Sequence, residues 1–417
     1  MPQTFTDVAC TVCGCVCDDL RVTVEGGRVV AAEGACRLAE PWFAAVGTAQ
    51  PPVAEVGGNA VSLGAAYARA ADQLKGAKYP LIYGLGRSTS DGLRAAVALA
   101  DRLGATVDTA GPHAATVAMQ AVGESTCTLG EVRQRADLVV FWGCDPLVTH
   151  PRFVERYCPP RSGRTLVVVD TEETETAKAA DAFVPVTPGR QWEAVTEVRQ
   201  RGLGEPGPQG PRVQGPVEVT PARLAAGARL EGLLPLLRSA AFGVVVFGDR
   251  LTSEPLAHRT VEALLQLVTD LNRTTRCYAV RLTGSAEVSG ADSLLAWQTG
   301  YPFGVNFAAG YPRYNPGEFT GAEMLARGEP DLCVLVGSEG VDLSPDHLRR
   351  IPVIALDPPG VKLGFAPAVR FTTAVYGVHR PGTARRLDGV TLPLRTLCES
   401  EYPSDGEVLG ELLRRVP

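Results

Sequence analysis

Histidine is scarce in this 417-residue chain, and what little there is carries no metal-binding spacing. His113, His150, His258, His347 and His379 form neither an H-x-x-x-H nor an H-E-x-x-H pattern, which excludes a zincin-type helix and leaves each expected as a satisfied surface or loop residue. No G-x-S-x-G elbow is present, so an exposed serine nucleophile of the hydrolase type is excluded. A basic block is missing too: 40 Lys and Arg against 46 Asp and Glu leave a formal charge of −6, which argues against a nucleic-acid partner. Nothing approaches the roughly twenty consecutive apolar residues of a membrane span, and the residues before Cys10 have neither a basic lead nor an apolar core. The expectation is a cytoplasmic protein with reduced thiols. The full dinucleotide fingerprint is also absent: Gly84-Leu85-Gly86-Arg87-Ser88 stops short of G-x-G-x-x-G and reads as a plain βα turn before a phosphate cradle.

Against these absences stands a concentration of cysteine. Five of the eleven lie within the first tenth of the chain, and Cys10, Cys13 and Cys17 form a C-x2-C-x3-C run followed by Cys36. Neighbours this close do not bridge pairwise without strain, so disulfides are disfavoured. Four thiolates wrapping an iron–sulfur cluster, four thiolates on a structural zinc, and unligated thiols all remain open on spacing alone. The segment between Cys17 and Cys36 alternates polar and apolar over Asp19–Glu25, turns at Gly26-Gly27 and continues through Arg28–Ala32, the pattern of a β-hairpin that returns Cys36 toward the other three.

The rest of the chain repeats a strand–turn–helix grammar. Apolar runs at 79–86, 136–143, 165–170, 182–186, 243–248, 277–282, 332–337 and 352–357 read as buried strands, and Ala/Leu-rich helical patterns cover 62–74, 91–102 and 254–271. The implied fold class is α/β, with parallel, Rossmann-like units and ligands expected at the carboxyl ends of strands. Five divisions are expected: a cysteine-rich β subdomain over 1–58, whose last part reads as a connector; a first α/β domain over 59–201; a Gly/Pro-rich linker over 202–220; a second α/β domain over 221–370; and a short-stranded segment with a capping helix over 371–417. Asp170 closes its strand where an acidic residue often accepts from a ribose hydroxyl, but Thr171-Glu172-Glu173 crowds carboxylates there and repels phosphate unless cations compensate. The Trp297–Phe319 block is dense in Tyr, Phe, Pro and Asn, the composition of a pocket wall, a subunit interface or locally packed core.

Taken together, Cys10-Thr11-Val12-Cys13-Gly14-Cys15-Val16-Cys17-Asp18-Asp19, Cys127-Thr128-Leu129-Gly130-Glu131-Val132, Trp142-Gly143-Cys144-Asp145-Pro146 with His150-Pro151-Arg152, Trp297-Gln298-Thr299-Gly300-Tyr301-Pro302-Phe303 and Gly310–Glu318 resemble the B subunit of formylmethanofuran dehydrogenase. That family is related to the molybdopterin formate dehydrogenases, and the likeness runs nearly the length of the chain. The resemblance implies a multi-domain molybdopterin-oxidoreductase-like fold and makes Cys10, Cys13, Cys17 and Cys36 the ligands of a [4Fe–4S] cluster, with Cys15 spare. It also implies two molybdopterin guanine dinucleotides around tungsten or molybdenum, held by a Cys or selenocysteine in a Cys-His-Gly-Pro-like segment. Counted back without gaps from Gln120 and the Cys127 motif, Gly111 stands at that ligand's place, and no Cys occurs between Cys36 and Cys127. Gly143, Asp145 and Asp170 are then vestigial candidates for the cofactor site. The same losses mark the B subunit of the bacterial formyltransferase/hydrolase complex of tetrahydromethanopterin-linked one-carbon metabolism. The resemblance therefore leads to the expectation of a non-redox, structural subunit of a hetero-oligomer with hydrolase and formyltransferase partners. The metal-bound pterin is expected to be absent and the iron–sulfur cluster possible. Whether the chain is itself an enzyme stays open. The alternative is an active tungsten or molybdenum formylmethanofuran dehydrogenase subunit with a different metal ligand.

Overall fold

A computed structural model describes residues 1–111, 113–203, 230–284, 290–339, 341 and 344–417. From residue 204 onward the expected Gly/Pro-rich linker lies outside the described residues, and Gly202 falls in the last turn of the helix Gln191–Leu203. The chain divides into two compact units, a first made of 1–111, 283–386 and 391–417 and a second made of 112–282 and 387–390.

The second unit is built on five parallel strands in the order Ala182–Pro185, Thr165–Asp170, Leu138–Trp142, Gly243–Phe247, Cys277–Arg281. Its central sequences, LVVFW and GVVVF, are buried at every position, as strands covered on both faces must be. The helix Ala257–Leu271 lays Val261, Leu264 and Val268 into the same core as Trp142, Val195 and Leu237.

The first unit holds a nine-stranded sheet. Five parallel strands form its middle, in the order Thr106–Asp108, Pro80–Gly84, Leu332–Val336, Val353–Asp357, Val369–Thr372. Short antiparallel pairs close both edges: Val305–Asn306 with Arg313–Tyr314, and Ala54–Val56 with Asn59–Ala60. The stretch read as a connector around Gly57-Gly58 is thus a hairpin turn paired to the sheet through Ala54–Val56. The helix Asp405–Arg415 packs on Ser90–Leu103 where two glycines meet; a Cβ on Gly406 would lie 3.0 Å from the Gly92 nitrogen. The buried Asp405 carboxylate accepts from Ser88 Oγ, from Thr89 N at 3.3 Å and from Thr89 Oγ1 at 3.2 Å. The N-terminal hairpin is present as Leu20–Glu25 and Arg28–Glu33, joined by a third strand, Gln3–Val8, that the residues before Cys10 did not announce.

The two units repeat one plan. Outward from Leu138–Trp142 in the second and Leu332–Val336 in the first, the neighbours on one side are Thr165–Asp170 then Ala182–Pro185, and Val353–Asp357 then Val369–Thr372. On the other side they are Gly243–Phe247 then Cys277–Arg281, and Pro80–Gly84 then Thr106–Asp108. Local contacts repeat as well. Asp137 accepts from Ala241 N at 2.7 Å and Phe242 N at 2.9 Å, while Asp331 accepts from Lys78 N at 2.7 Å and Tyr79 N at 2.9 Å. Gly143 and Gly337 end the central strands with left-handed φ of 59° and 63°, and each donates its N–H at 2.9 Å to the residue before a strand-ending aspartate. Along the chain, the strands beginning at 80, 106, 138, 165 and 182 form one series, and those at 243, 277, 332, 353 and 369 form a second. Each unit takes two strands from one series and three from the other.

Candidate functional site

The cysteine loop belongs to the first unit. Cys10 and Cys17 are buried, Cys13 and Cys36 half-buried, and none of the four forms a disulfide. Cys10 N donates to Cys17 O at 2.8 Å and folds the loop on itself, while the Cys36 carbonyl accepts from Ala39 N and Glu40 N and starts the helix Ala39–Ala45. Gly14 N donates to Thr283 O at 3.1 Å, an approach that a Cβ at Gly14 would block. Burial pushes the Cys10 thiol up, a backbone hydrogen bond at Val12 opposes it, and negative charge on Cys13, Cys17 and Cys36 pushes it further. Those three sulfurs therefore lie within electrostatic reach of Cys10. Among the described residues no three His, Cys, Asp or Glu side chains are grouped as a single metal ion requires.

Thr11, 1% exposed between Cys10 and Cys13, connects the loop to the main sheet. Its Oγ1 accepts from Arg87 Nη2 at 3.4 Å; Arg87 also stands 3.4 Å from Glu339 and 5.1 Å from the centre of the Trp42 ring. Arg87 sits at the carboxyl end of Pro80–Gly84, where the sheet order reverses and open α/β sheets place ligands. The preceding Leu85 is buried with φ of 73°, a strained conformation for a branched side chain. Across the same edge, Asp357 is fully buried. Its Oδ1 accepts from Ser338 N and Ser338 Oγ, both at 2.8 Å, and its Oδ2 has no partner. Burial raises its carboxyl above the usual range, against the Ser338 hydrogen bonds and the Arg370 charge, which lower it. A cavity of 20 Å³, room for about one water, opens here between Arg87, Gly337, Leu356, Pro358, Thr373 and Arg380.

In the second unit the corresponding edge carries Gly143, Asp145 and Asp170. A Cβ on Gly143 would lie 3.1 Å from Leu251 N. Asp145 is engaged in structure: it accepts from Thr176 N at 3.1 Å, Thr176 Oγ1 at 2.5 Å and Glu175 N at 3.3 Å, and so caps the helix Glu175–Ala179. Asp170 Oδ1 accepts from Thr171 N at 2.7 Å and Arg250 Nη1 at 3.1 Å, and Oδ2 has no partner. The second nitrogen of Arg250 reaches Glu172 at 2.6 Å, so the acidic crowding is offset by a cation that the sequence did not place there.

Gly111 is half-buried just past the strand Thr106–Asp108. Before it, Ala110 has φ of 58° and Thr109 is buried with a hydroxyl that has no partner. Of the histidines expected as surface or loop residues, His150 and His379 lie in turns and are buried, at 4% and 5% exposed. His379 Nδ1 accepts from Val375 N at 3.0 Å, and burial followed by the Arg380 charge lowers its pKa to about 4. Sequence reasoning weighed Arg87 only as part of a βα turn and missed Arg250 and Asp357. The legible signal was an arginine three residues past each of two equivalent buried strands.

No family model matches the chain. By shape it is similar to the formyltransferase/hydrolase complex from Methylorubrum extorquens, solved with methylofuran (TM-score 0.70, 24% identity, 87% of this chain and 98% of that one). It is also similar to acetylene hydratase from Pelobacter acetylenicus (TM-score 0.68, 13% identity, 99% of this chain and 69% of that one). These likenesses, with the paired parallel sheets, define a molybdopterin-oxidoreductase-like α/β fold. In sequence the chain is 35% identical over 446 aligned residues to the B subunit of tungsten-containing formylmethanofuran dehydrogenase 2 from Methanocaldococcus jannaschii, covering 100% of this chain and 99% of that one. It is 32% identical to the same subunit from Methanococcus maripaludis, over 99% of each chain. The B subunit of the Methylorubrum extorquens formyltransferase/hydrolase complex Fhc is 29% identical over 68% of this chain and 74% of its own length. The chain belongs to the family of formylmethanofuran dehydrogenase B subunits.

Proposed function

We propose that this chain is a non-redox B subunit of a cytoplasmic formyltransferase/hydrolase-type assembly. In it, partner subunits transfer a formyl group to a methanofuran-like carrier and hydrolyse it to formate. The observation that carries the reading is the missing thiol: Thr109-Ala110-Gly111 passes the end of its strand in a chain that has no cysteine between Cys36 and Cys127. Hydrolysis of a formamide moves a water and a proton but no electron, so the loss of a metal-bound thiolate leaves that reaction intact. Glu172 at the second strand-end site supports the same reading, since it places a carboxylate where a phosphate would need a cation.

Cys10, Cys13, Cys17 and Cys36 would hold a [4Fe–4S] cluster, a ligand set supported by the C-x2-C-x3-C spacing with Cys36 beyond it and by the likeness to the dehydrogenase B subunits. Bound there, the cluster would supply cationic iron that stabilises four thiolates. This chain's own part is to bury Cys10 and Cys17, to order the loop through the Cys10–Cys17 backbone bond, and to anchor Thr11 to Arg87. Gly111 has no side chain to offer tungsten or molybdenum, so the metal half of the pterin cofactor does not fit.

Elemental analysis of the purified hetero-oligomer tests this reading. About four iron atoms per copy of this chain and no tungsten or molybdenum are expected; stoichiometric tungsten or molybdenum with formate oxidation by an artificial acceptor would overturn it. The second reading, an active dehydrogenase subunit with a ligand other than cysteine, is favoured by the buried, unpartnered Thr109 hydroxyl beside Gly111 and by the full-length likeness to tungsten enzymes.

A further inference from the structure

The chain carries more acid than base, yet three arginines meet without an acid at the amino edge of the second unit's sheet. Arg133, Arg161 and Arg164 come together where the helices Leu129–Arg135 and Phe153–Tyr157 end and the strand Thr165–Asp170 begins. Arg164 is the structural member. Its Nε donates to Ala136 O at 2.9 Å, its Nη1 to Pro159 O at 2.9 Å, and its Nη2 to Val132 O at 3.1 Å and Arg133 O at 2.7 Å, so it caps the end of Leu129–Arg135. Arg133 and Arg161 are exposed and use one nitrogen each: Arg133 Nη1 donates to Arg156 O and Arg161 Nη1 to Gln134 O, both at 2.5 Å. Two long side chains are thereby held in place with most of their guanidinium donors unspent.

Among the described residues no carboxylate pairs with any of the three. Burial lowers the pKa of Arg164, and the neighbouring Arg161 and Arg133 charges lower it further against the Cys158 thiol, so the three cations crowd one another. The acids of this edge are engaged elsewhere. Asp137 accepts from Ala241 N and Phe242 N, Asp181 accepts from Leu166 N at 2.8 Å, and Glu131 pairs with Arg135 at 3.2 Å. The first unit, built on the same plan, neutralises the equivalent places. Its helix Gly321–Arg327 precedes the central strand as Leu129–Arg135 does, and Arg327 is held by Glu329 at 2.6 Å. Its helix Pro345–Leu348 precedes the next strand, and Arg349 just past it is held by Asp346 at 2.6 Å, leaving Arg350 alone of these without an acid. The frame itself therefore does not demand bare arginines at this edge.

We propose that Arg133 and Arg161, backed by Arg164, form a docking surface for an acidic segment of a partner subunit, whose Asp or Glu carboxylates take the unspent donors in bidentate pairs. An exposed ion pair is ordinarily weak because two long side chains must be ordered to make it; here the arginines are ordered before the partner arrives. An arriving carboxylate also relieves the repulsion among the three cations. The proposal rests on the reading of this chain as one subunit of a hetero-oligomer and is independent of its metal content and redox state.

The test compares the purified hetero-oligomer with the isolated chain. Phenylglyoxal, an arginine-selective reagent read out by peptide mass spectrometry, is expected to label Arg133 and Arg161 in the isolated chain and to spare both in the assembly. The double variant Arg133→Glu, Arg161→Glu is expected to weaken subunit association roughly 10- to 100-fold, while Arg133→Lys, Arg161→Lys keeps most of it. Wild-type association should weaken as salt rises from about 0.05 to about 0.5 M, and that of the charge-reversed variant should not. Should the reversal unfold the helix ends, labelling of the wild type decides alone. Equal labelling in both forms, within an assembly that holds together, overturns the docking surface and leaves the subunit reading standing; a wild-type chain that joins no partner overturns both. Protection by RNA or inorganic phosphate, and not by the partner subunits, would mark a general anion site and overturn the proposal as well.

Discussion

The two units share strand order, aspartate latches and left-handed glycines, yet the second invests its equivalent positions in bulk and ion pairs while the first leaves them small and open. Trp142 ends the central strand of the second unit, fully buried, with Nε1 donating to Gln191 Oε1 at 3.0 Å; Val336 holds the equivalent place in the first and borders a cavity. Arg250 is clamped by two carboxylates, whereas Arg87 spreads loosely over Glu339, Thr11 and Trp42. A duplicated frame thus keeps its folding contacts in both copies and lets the strand-end chemistry diverge, because the latches are remote from the ligand edge.

Substitutions at equivalent places test how far that equivalence goes. The largest effect is expected for Trp142→Ala, about 3–5 kcal/mol from lost packing and an orphaned Gln191, against about 1–2 kcal/mol for Val336→Ala; chemical denaturation of each variant measures both, and equal losses would erase the contrast. Next comes acid sensitivity in the first unit. The pKa of His379 is lowered to about 4 from 6.5, so the unfolded chain takes up the proton first, and stability is lost as pH falls from 6.5 toward 4. About 2 kcal/mol should disappear over that window in the wild type and not in His379→Asn, which keeps an acceptor for Val375 N. Removing one latch, Asp137→Ala or Asp331→Ala, should cost a similar 1–2 kcal/mol, roughly the same in either unit. Gly337→Ala should cost about 1 kcal/mol for its left-handed backbone and Gly143→Ala more, since the added Cβ also meets Leu251 N. The smallest effect concerns Asp357. Its raised carboxyl favours the folded state fully below the ordinary value of 3.8, and this advantage fades as pH climbs through the folded value. Asp357→Asn should therefore match the wild type in acid and gain on it toward neutrality, as read from unfolding midpoints across pH.

The sequence was legible where burial imposes a long signal. LVVFW, GVVVF and LCVLV are continuous apolar runs, and they are strands. Two- and three-residue strands such as Thr106–Asp108, Ala54–Val56 and Val305–Asn306 carry no period to detect and are held by their neighbours. Pairing partners were equally hidden, since nothing local joins Pro80 to Leu332. The expectation of crowded acids after Asp170 identified the residues correctly but not their balance, because Arg250 reaches Asp170 from 80 positions away. The cysteine spacing left cluster, zinc and unligated thiols open, and it gave no sign of the backbone tie between Cys10 and Cys17 or of the anchor of Thr11 on Arg87.

The interleaved order of the strands has a consequence for synthesis on the ribosome. Residues 112–282 emerge as one continuous stretch carrying all five strands of the second unit. Pro80–Gly84 and Thr106–Asp108 emerge earlier but wait for Leu332–Val336, about 250 residues later, before a central strand is available to pair. Loop closure over that length is slow relative to local assembly. The middle of the chain thus has its pairing partners at hand, while the N-terminal strands lack theirs until the C-terminal third has been made.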